Sequence, residues 1–208
     1  MTPPLQLLWD GPERAPATVV LAHGAGAGME HTFLADVARG LGAAGLRVVR
    51  FEFPYQRDTR AGHRRAPDRM PVLQATFREV IALAGPGPLV LAGKSMGGRV
   101  ATMLADELAP RGVVVFGYPF HPPKDPTSLR VAHLQTLRTP TLVLQGERDP
   151  FGTRDEVAGY QLAPALRVLW FADGDHSLAP RRRSGHTVEG HLAASIAAAA
   201  QFVHEVAR

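Results

Sequence analysis

The chain has 208 residues, 45% of them hydrophobic and 20% charged, which is the balance of a globular protein with a core of its own. It contains no cysteine, so disulfide bonds, thiol catalysis and cysteine-ligated metal sites are excluded. The formal net charge is +4, and two arginine-rich segments, 57–69 and 181–183, carry much of the excess. Neither interleaves aromatic residues that could stack on bases, so we expect no nucleic-acid partner.

Short apolar segments alternate with helical patterns along the whole chain. We predict strands at Leu5–Leu8, Ala17–Ala22, Arg47–Phe53, Pro88–Ala92, Gly112–Phe116, Pro140–Gln145 and Leu166–Phe171. Helices are predicted at Glu30–Ala44, Pro71–Ala84, Met96–Leu108, Ser128–Leu137, Thr153–Tyr160 and Thr187–Val206. Most strands are continuous apolar runs, which is typical of a parallel sheet buried on both faces, and the first is also compatible with an antiparallel edge. The alternation predicts a doubly wound, mostly parallel α/β sheet of about seven strands, and we expect a single domain over 1–208.

Two connections, 54–70 and 117–127, are too long for simple turns. Both follow strands of the predicted sheet and are expected at its carboxyl edge, where open α/β folds bind ligands. The second contains Tyr118, Phe120 and His121, which we expect to wall a substrate pocket. For the arginine-rich first connection, disorder, solvated surface and a positive rim that attracts anionic substrates all stay open.

The segment Gly93-Lys94-Ser95-Met96-Gly97 joins the fourth predicted strand to the following helix. It fits the pattern G-x-S-x-G, and in a strand-to-helix setting this pattern predicts a nucleophile elbow. A sharp turn there projects the Ser95 hydroxyl over the end of the sheet. The small residues Gly93 and Gly97 prevent collisions with the adjoining strand and helix.

A serine hydroxyl needs a neighbouring base, and the base needs an acid that orients it. In a sheet with this elbow the three groups occur in the order Ser, acid, His. His176 follows the last predicted strand and is the candidate base. Asp149, in the loop after the sixth strand, is the candidate acid, with Glu147 as its main rival and Asp173 and Asp175 as weaker ones.

The oxyanion that forms during acyl transfer needs two backbone N–H donors. We expect one from Met96, directly after the nucleophile, and one from Ala25 in the loop after the second strand. Small residues around it, Gly24 and Gly26, let the backbone approach a substrate and are expected to line the pocket. The glycine spacing there is not G-x-G-x-x-G, so a dinucleotide cofactor is disfavoured.

These motifs together resemble the α/β-hydrolase superfamily, and within it a compact, lidless group related to dienelactone hydrolases. The resemblance is carried by His-Gly-Ala-Gly at 23–26, Gly-Lys-Ser-Met-Gly-Gly-Arg at 93–99, Gln-Gly-Glu-Arg-Asp-Pro-Phe-Gly at 145–152 and Gly-Asp-His at 174–176. The 93–99 stretch and Tyr-Pro-Phe-His-Pro-Pro at 118–123 are also similar to testis-expressed protein 30 and to a subunit of the chromatin-associated non-specific-lethal assembly. Dienelactone hydrolases use a cysteine nucleophile, which this chain lacks, so their substrate is not implied.

The resemblance implies hydrolysis of an acyl bond through an acyl-enzyme, with no metal and no organic cofactor. We expect a small ester or thioester as substrate, with an anionic one left open by the arginine-rich segments. A serine peptidase or acyl-peptide hydrolase, and a non-catalytic scaffold on the same fold, are the alternatives. The start of the chain has no secretory pattern and no segment reaches membrane-spanning length, so we expect a cytoplasmic monomer or homodimer without a membrane partner.

Overall fold

The computed structural model describes residues 3–208, and a seven-stranded sheet lies at its centre. The strands are β1 (Leu7–Asp10), β2 (Thr18–Ala22), β3 (Arg47–Phe51), β4 (Leu89–Lys94), β5 (Gly112–Phe116), β6 (Thr141–Gly146) and β7 (Leu166–Phe171). Their order across the sheet is β1-β3-β2-β4-β5-β6-β7. All neighbours are parallel except β1, which pairs antiparallel with β3 at one edge. The predicted doubly wound sheet, with its antiparallel edge strand, is confirmed.

Helices cover both faces of the sheet. They are α1 (Thr32–Ala43), α2 (Pro54–Arg60), α3 (Met70–Ala84), α4 (Met96–Leu108), α5 (Arg154–Ala158) and α6 (Val188–Val206), with short 3₁₀ turns at Ala132–Gln135 and Arg182–Ser184. Helices α3 and α4 pack on one face, where buried Phe77 and Leu104 contact one set of strand side chains. Helices α1 and α6 pack on the other, through residues such as Val37 and Val203. Within residues 3–208, no helix has the length and apolarity that a membrane span requires.

The structure adds one helix that the sequence analysis did not predict and shortens another that it did. The segment 54–70 contains a helix, α2, which begins at Pro54; proline suits a first helical turn because its missing N–H needs no partner there. The helix predicted at 128–137 shrinks to the 3₁₀ turn Ala132–Gln135. Its first residues are held by the preceding loop instead, since the backbone N–H of Arg130 donates to Phe120 O at 2.7 Å and its carbonyl accepts from Tyr118 Oη at 2.8 Å.

The register brings the loops that carry chemistry to one edge of the sheet. Ala22 pairs with Gly93, and Gly93 pairs with Val115, so β2, β4 and β5 end side by side. Further along, Gly146 pairs with Phe171 at the ends of β6 and β7. The segments that follow these strands therefore converge, although they are far apart in the sequence.

Candidate active site

Ser95 occupies a strained backbone conformation between β4 and α4. Its φ is 51° and its ψ is −113°, and positive φ is uncommon for any residue other than glycine. Two hydrogen bonds fix the turn: Ser95 N donates to Phe116 O at 3.1 Å, and Arg99 N donates to Ser95 O at 2.9 Å. A Cβ on Gly97 would lie 2.6 Å from His23 O and 2.7 Å from Ala22 O, so the turn can pass β2 only with glycine there. Such strain points to a functional position.

The side chains of Ser95, His176 and Asp149 form a continuous hydrogen-bonded chain. His176 Nε2 lies 2.8 Å from Ser95 Oγ, and His176 Nδ1 lies 2.7 Å from Asp149 Oδ2. A carboxylate can only accept, so Nδ1 carries the proton and Nε2 presents a lone pair to the serine hydroxyl. The imidazole is thus in the tautomer that can receive the serine proton.

Asp149 is completely buried and is held by more than the histidine. Gln145 Nε2, on strand β6, donates to Oδ2 at 2.8 Å, and the backbone N–H of Phe151 donates to Oδ1 at 2.9 Å. The same glutamine accepts from Tyr118 N through Oε1 at 2.7 Å. The carboxylate is therefore positioned by the sheet as well as by its own loop.

The other candidate acids are engaged elsewhere. Glu147 pairs with Arg154 at 2.6 Å and accepts from the backbone N–H of Asp173 at 3.1 Å. Asp173 itself pairs with Arg148 and Arg181. Asp175 accepts from the backbone N–H groups of Ser177 and Ala179. Of the four carboxylates considered from the sequence, Asp149 is the one in contact with His176.

Burial lowers the pKa of His176 below its ordinary value. The hydrogen bond to Asp149 raises this pKa and the positive charge of Lys94 lowers it again, but burial is the largest influence. A depressed pKa keeps the imidazole neutral at pH 7, which is the state in which it can act as a base.

Lys94, the residue before the nucleophile, ties β4 to the histidine loop. Its Nζ donates to His176 O at 2.6 Å and makes no ion pair with any carboxylate in the described chain. Burial lowers the pKa of Lys94 to about 8, against the opposing effects of Asp149 and Asp175. Gly117 makes room for this contact: its φ is +70°, and a Cβ there would lie 2.7 Å from His176 O and 3.0 Å from Lys94 Nζ.

A cavity of about 350 Å³ opens beside Ser95 and His176. It is lined by His23, Gly24, Ala25, Gly26, Ala27, Gly28, His31, Phe33, Leu34, Lys94, Ser95, Phe151, His176 and Ser177. No lining residue is acidic. Gly24 and Gly26 lie here as predicted, whereas Phe33, Leu34 and Phe151, which give the cavity its apolar walls, were not predicted from the sequence. A hydrophobic residue at the start of a helix after a glycine-rich loop was the available signal for Phe33.

The expected oxyanion donors lie on two ordered segments. Met96 is the first residue of α4, where a backbone N–H has no acceptor within the helix. The N–H of Ala25 donates to none of the described residues. The loop that carries it is held by Tyr55, whose hydroxyl lies 3.2 Å from Gly24 O and 3.1 Å from Ala25 O. His23 holds it too, accepting from Phe53 N through Nε2 and donating from Nδ1 to Gly24 O at 2.7 Å.

Tyr118, Phe120 and His121 do not wall this cavity, contrary to the expectation. Tyr118 and Phe120 are buried in the core on the face covered by α3 and α4, His121 is also buried, and none of the three lines the cavity. The positive φ of Gly117 turns the chain inward after β5. The rings of Tyr118 and Phe120 then pack edge to face, 4.8 Å apart, and Tyr118 Oη donates to Arg130 O.

Three arginines of the arginine-rich segments form ion pairs with nearby carboxylates. Arg60 pairs with Glu30 and Glu52, at 2.8 and 2.7 Å. Arg65 pairs with Asp58 and Asp68, and Arg181 pairs with Asp173. Within residues 3–208, no three His, Asp or Glu side chains are grouped so that they could hold a metal ion.

Comparison with known proteins identifies one matching family model and many solved structures with a similar fold. A family model described as an alpha/beta hydrolase domain matches residues 15–204. Among solved structures, the chain is similar to XC6422 from Xanthomonas campestris, an a/b serine hydrolase without a lid. The TM-score is 0.68 at 21% identity, over 99% of this chain and 88% of the other.

Two further structures show the same architecture. A dienelactone hydrolase from Anabaena variabilis superposes with a TM-score of 0.71 at 22% identity, over 97% of this chain and 91% of that one. A thermophilic esterase from Thermogutta terrifontis superposes with a TM-score of 0.68 at 16% identity, over 98% of this chain and 94% of that one. At these identities the likeness establishes the fold.

Proposed function

Because the chain belongs to the alpha/beta hydrolase family, we propose that it is a serine hydrolase that cleaves carboxylic esters of small substrates through an acyl-enzyme. Ser95 is the nucleophile, His176 the general base and Asp149 the acid that orients the histidine. The observation that carries this proposal is the unbroken chain of short contacts, 2.8 Å from Ser95 to His176 and 2.7 Å from His176 to Asp149.

The reaction begins when Ser95 Oγ attacks the ester carbonyl and its proton passes to His176 Nε2. Asp149 stabilises the imidazolium that forms. The tetrahedral intermediate then collapses, and the leaving alcohol takes the proton from His176. Water attacks the acyl-enzyme in turn, giving its proton to His176, and the carboxylic acid leaves as Ser95 Oγ regains a proton.

The negative oxygen of each tetrahedral intermediate needs fixed donors. The backbone N–H groups of Met96 and Ala25 are the proposed pair, one at the start of α4 and one in the glycine-rich loop. Tyr55 and His23 hold the second donor's loop from behind, so the donors are in place before the charge develops, which is what makes such donors effective.

The cavity argues for a small substrate. Its volume of about 350 Å³ is at the low end of ligand pockets. Apolar walls from Phe33, Leu34 and Phe151 suit a short hydrocarbon group, and a small thioester would fit the same space. A long acyl chain would need a deeper tunnel.

The test compares three variants on ethyl butyrate and on a short 4-nitrophenyl ester. Ser95→Ala is expected to lower kcat on the order of a millionfold and to abolish labelling by a fluorophosphonate. Asp149→Asn is expected to cost about ten-thousandfold, because the histidine loses its tautomer. Glu147→Gln is the matched control, a carboxylate in the same loop that does not touch His176, and is expected to keep wild-type turnover.

Full activity in Ser95→Ala would refute the proposal. A wild-type protein that neither hydrolyses esters nor reacts with a fluorophosphonate would instead support the scaffold alternative. Hydrolysis of amide substrates in preference to esters would favour the peptidase.

A further inference from the structure

A second cavity, of about 740 Å³, adjoins the cavity beside Ser95 along the glycine-rich loop. Ala25 and Gly26 line both cavities, so these two residues form the ridge between them. Both are exposed, and a Cβ on Gly26 would meet nothing within 4 Å, so the space over the ridge is open there. The other residues that line the second cavity are Tyr55, Gln56, Thr59, Arg64, Arg65, Ala66 and Pro67. A molecule bound at Ser95 can therefore extend over the ridge into this second cavity.

The two cavities differ in their chemistry. The cavity beside Ser95 has apolar walls from Phe33, Leu34 and Phe151. The second cavity is lined by two guanidinium groups, an amide and two hydroxyl groups, and none of its lining side chains is acidic. A ligand that occupies both cavities thus passes from apolar walls to a polar and positively charged lining.

Arg64 is the cation of the second cavity that has no counter-ion. It is exposed, and within residues 3–208 its side chain forms no hydrogen bond and no ion pair. Arg65, its neighbour, is neutralised instead: its Nε lies 2.7 Å from Asp58 Oδ2 and its Nη1 lies 2.9 Å from Asp68 Oδ1. Because Arg64 is both exposed and part of the cavity lining, an anion from solvent can reach its guanidinium.

A series of contacts ties the segment that carries Arg64 to the ridge. Asp68, which pairs with Arg65, also accepts a hydrogen bond from Tyr55 N at 2.8 Å. The hydroxyl of Tyr55 in turn donates to Ala25 O at 3.1 Å. Arg64 is therefore next to a residue that is anchored, through Asp68 and Tyr55, to the ridge itself.

We propose that the second cavity binds an oxyanion, a carboxylate or a phosphate, through Arg64, and that this anion is part of an ester substrate whose carbonyl group lies at Ser95. The link to the substrate rests on the proposed hydrolase function. A guanidinium presents paired N–H donors that match either anion. The linker between the ester and the anion has to cross the two ridge residues, a distance of about 7 Å, which a chain of about four methylene groups spans.

Two pairs of esters test whether the anion belongs to the substrate and which half carries it. Monomethyl adipate and methyl hexanoate differ in a terminal carboxylate on the acyl half, and 4-butyryloxybutanoate and butyl butyrate differ in one on the alcohol half. Hydrolysis is followed by pH-stat at pH 7, and kcat/KM of each anionic ester is divided by that of its neutral partner. In Arg64→Met, at least one of the two ratios is expected to fall about three- to tenfold, the effect of losing a partly exposed charge-assisted pair.

Arg69→Met is the matched control. Arg69 is an exposed arginine of the same connection, lines neither cavity, and forms no side-chain hydrogen bond or ion pair in the described chain. Both ratios are expected to stay at their wild-type values in this variant. Arg64→Lys keeps the charge but not the planar fork of donors, so it is expected to retain part of the preference for the anionic ester.

Binding of the intact esters is measured without the reaction. Each anionic ester is titrated calorimetrically into Ser95→Ala and into the double variant Ser95→Ala/Arg64→Met, where its affinity is expected to be about three- to tenfold weaker. Sodium acetate and sodium phosphate are then added as competitors at constant ionic strength, and the stronger competitor identifies the preferred anion.

The outcomes separate the claims. A lower ratio and weaker binding on loss of Arg64, with Arg69→Met unchanged, support the full proposal. Weaker binding with unchanged ratios supports an oxyanion site and overturns its link to the substrate. Unchanged ratios together with unchanged binding overturn the site, and an equal fall in Arg69→Met overturns the role of Arg64 in favour of the net charge of the connection. If the wild type hydrolyses no neutral ester, the hydrolase function fails, while the binding measurement still decides whether the site exists.

Discussion

Replacing Lys94 with methionine is expected to make His176 more basic. The substitution keeps the apolar stem but removes the ammonium group that donates to His176 O at 2.6 Å. Since the charge of Lys94 lowers the pKa of His176, its removal raises that pKa. The acid limb of the pH profile of kcat/KM should therefore move to higher pH, because His176 must be neutral to accept the serine proton.

The distance between the two groups sets the size of the shift. A Cβ on Gly117 would lie 3.0 Å from Lys94 Nζ and 3.2 Å from His176 Nδ1. The two nitrogen atoms are therefore at most about 6 Å apart. Two charges about 6 Å apart interact by ~0.7 kcal/mol in bulk water and by ~3 kcal/mol at the effective dielectric constant near protein surfaces. The expected shift of the acid limb is therefore about 0.5 to 2 pH units.

The assay is a set of kcat/KM values on a short neutral ester between pH 4 and 8, a range chosen because Lys94, with a pKa of about 8, is charged throughout most of it. Lys124→Met serves as the control, since Lys124 is the chain's other lysine and is exposed. Loss of the hydrogen bond to His176 O should also lower kcat at every pH. An acid limb that stays in place, or moves to lower pH, would refute the electrostatic argument even if kcat falls.

Two other predictions concern stability. Gly97→Ala should lower the free energy of unfolding in urea by about 1–3 kcal/mol, because the new Cβ collides with the backbone carbonyls of Ala22 and His23; the same change at exposed Gly26, whose Cβ would meet nothing within 4 Å, should cost far less. Asp106 accepts hydrogen bonds from Thr139 and Arg138, and although burial raises its pKa, these bonds lower it overall. The carboxylate therefore stabilises the fold at neutral pH, and this contribution is lost as the pH falls through the depressed pKa. The difference in unfolding free energy between wild type and Asp106→Asn should shrink from pH 7 to pH 3, and a difference independent of pH would contradict this.

The sequence predicted the candidate site residues best where a local motif and the strand order together determine where a side chain lies. Ser95 was recognisable from the glycines around it, and His176 and Asp149 from their places after two strands of a parallel sheet. The carboxyl ends of such strands meet at one edge, so order along the chain predicts proximity in space. The same reasoning favoured Asp149 but kept Glu147, in the same loop, as its rival, because the difference between them lies in the contacts with Gln145 and Arg154.

Other features depend on tertiary contacts that no local pattern encodes. Tyr118 and Phe120 look like pocket residues in a long loop, but the positive φ of Gly117 directs them into the core. Helix α2 is a different case: Pro54 at its start was an available signal, outweighed by the arginine-rich composition of the segment that follows.

The strand attachments of the three side chains of the proposed triad have a consequence for how this molecule can change. Ser95 is bonded to β5, Asp149 to β6 through Gln145, and the backbone of His176 to β4 through Lys94. The walls of the neighbouring cavity, by contrast, come from residues 24–34 and from Phe151, which lie outside the strands. If these three groups react as proposed, the segments that align them differ from those that shape the cavity, so the cavity walls can change for a differently shaped ligand while the triad keeps its alignment.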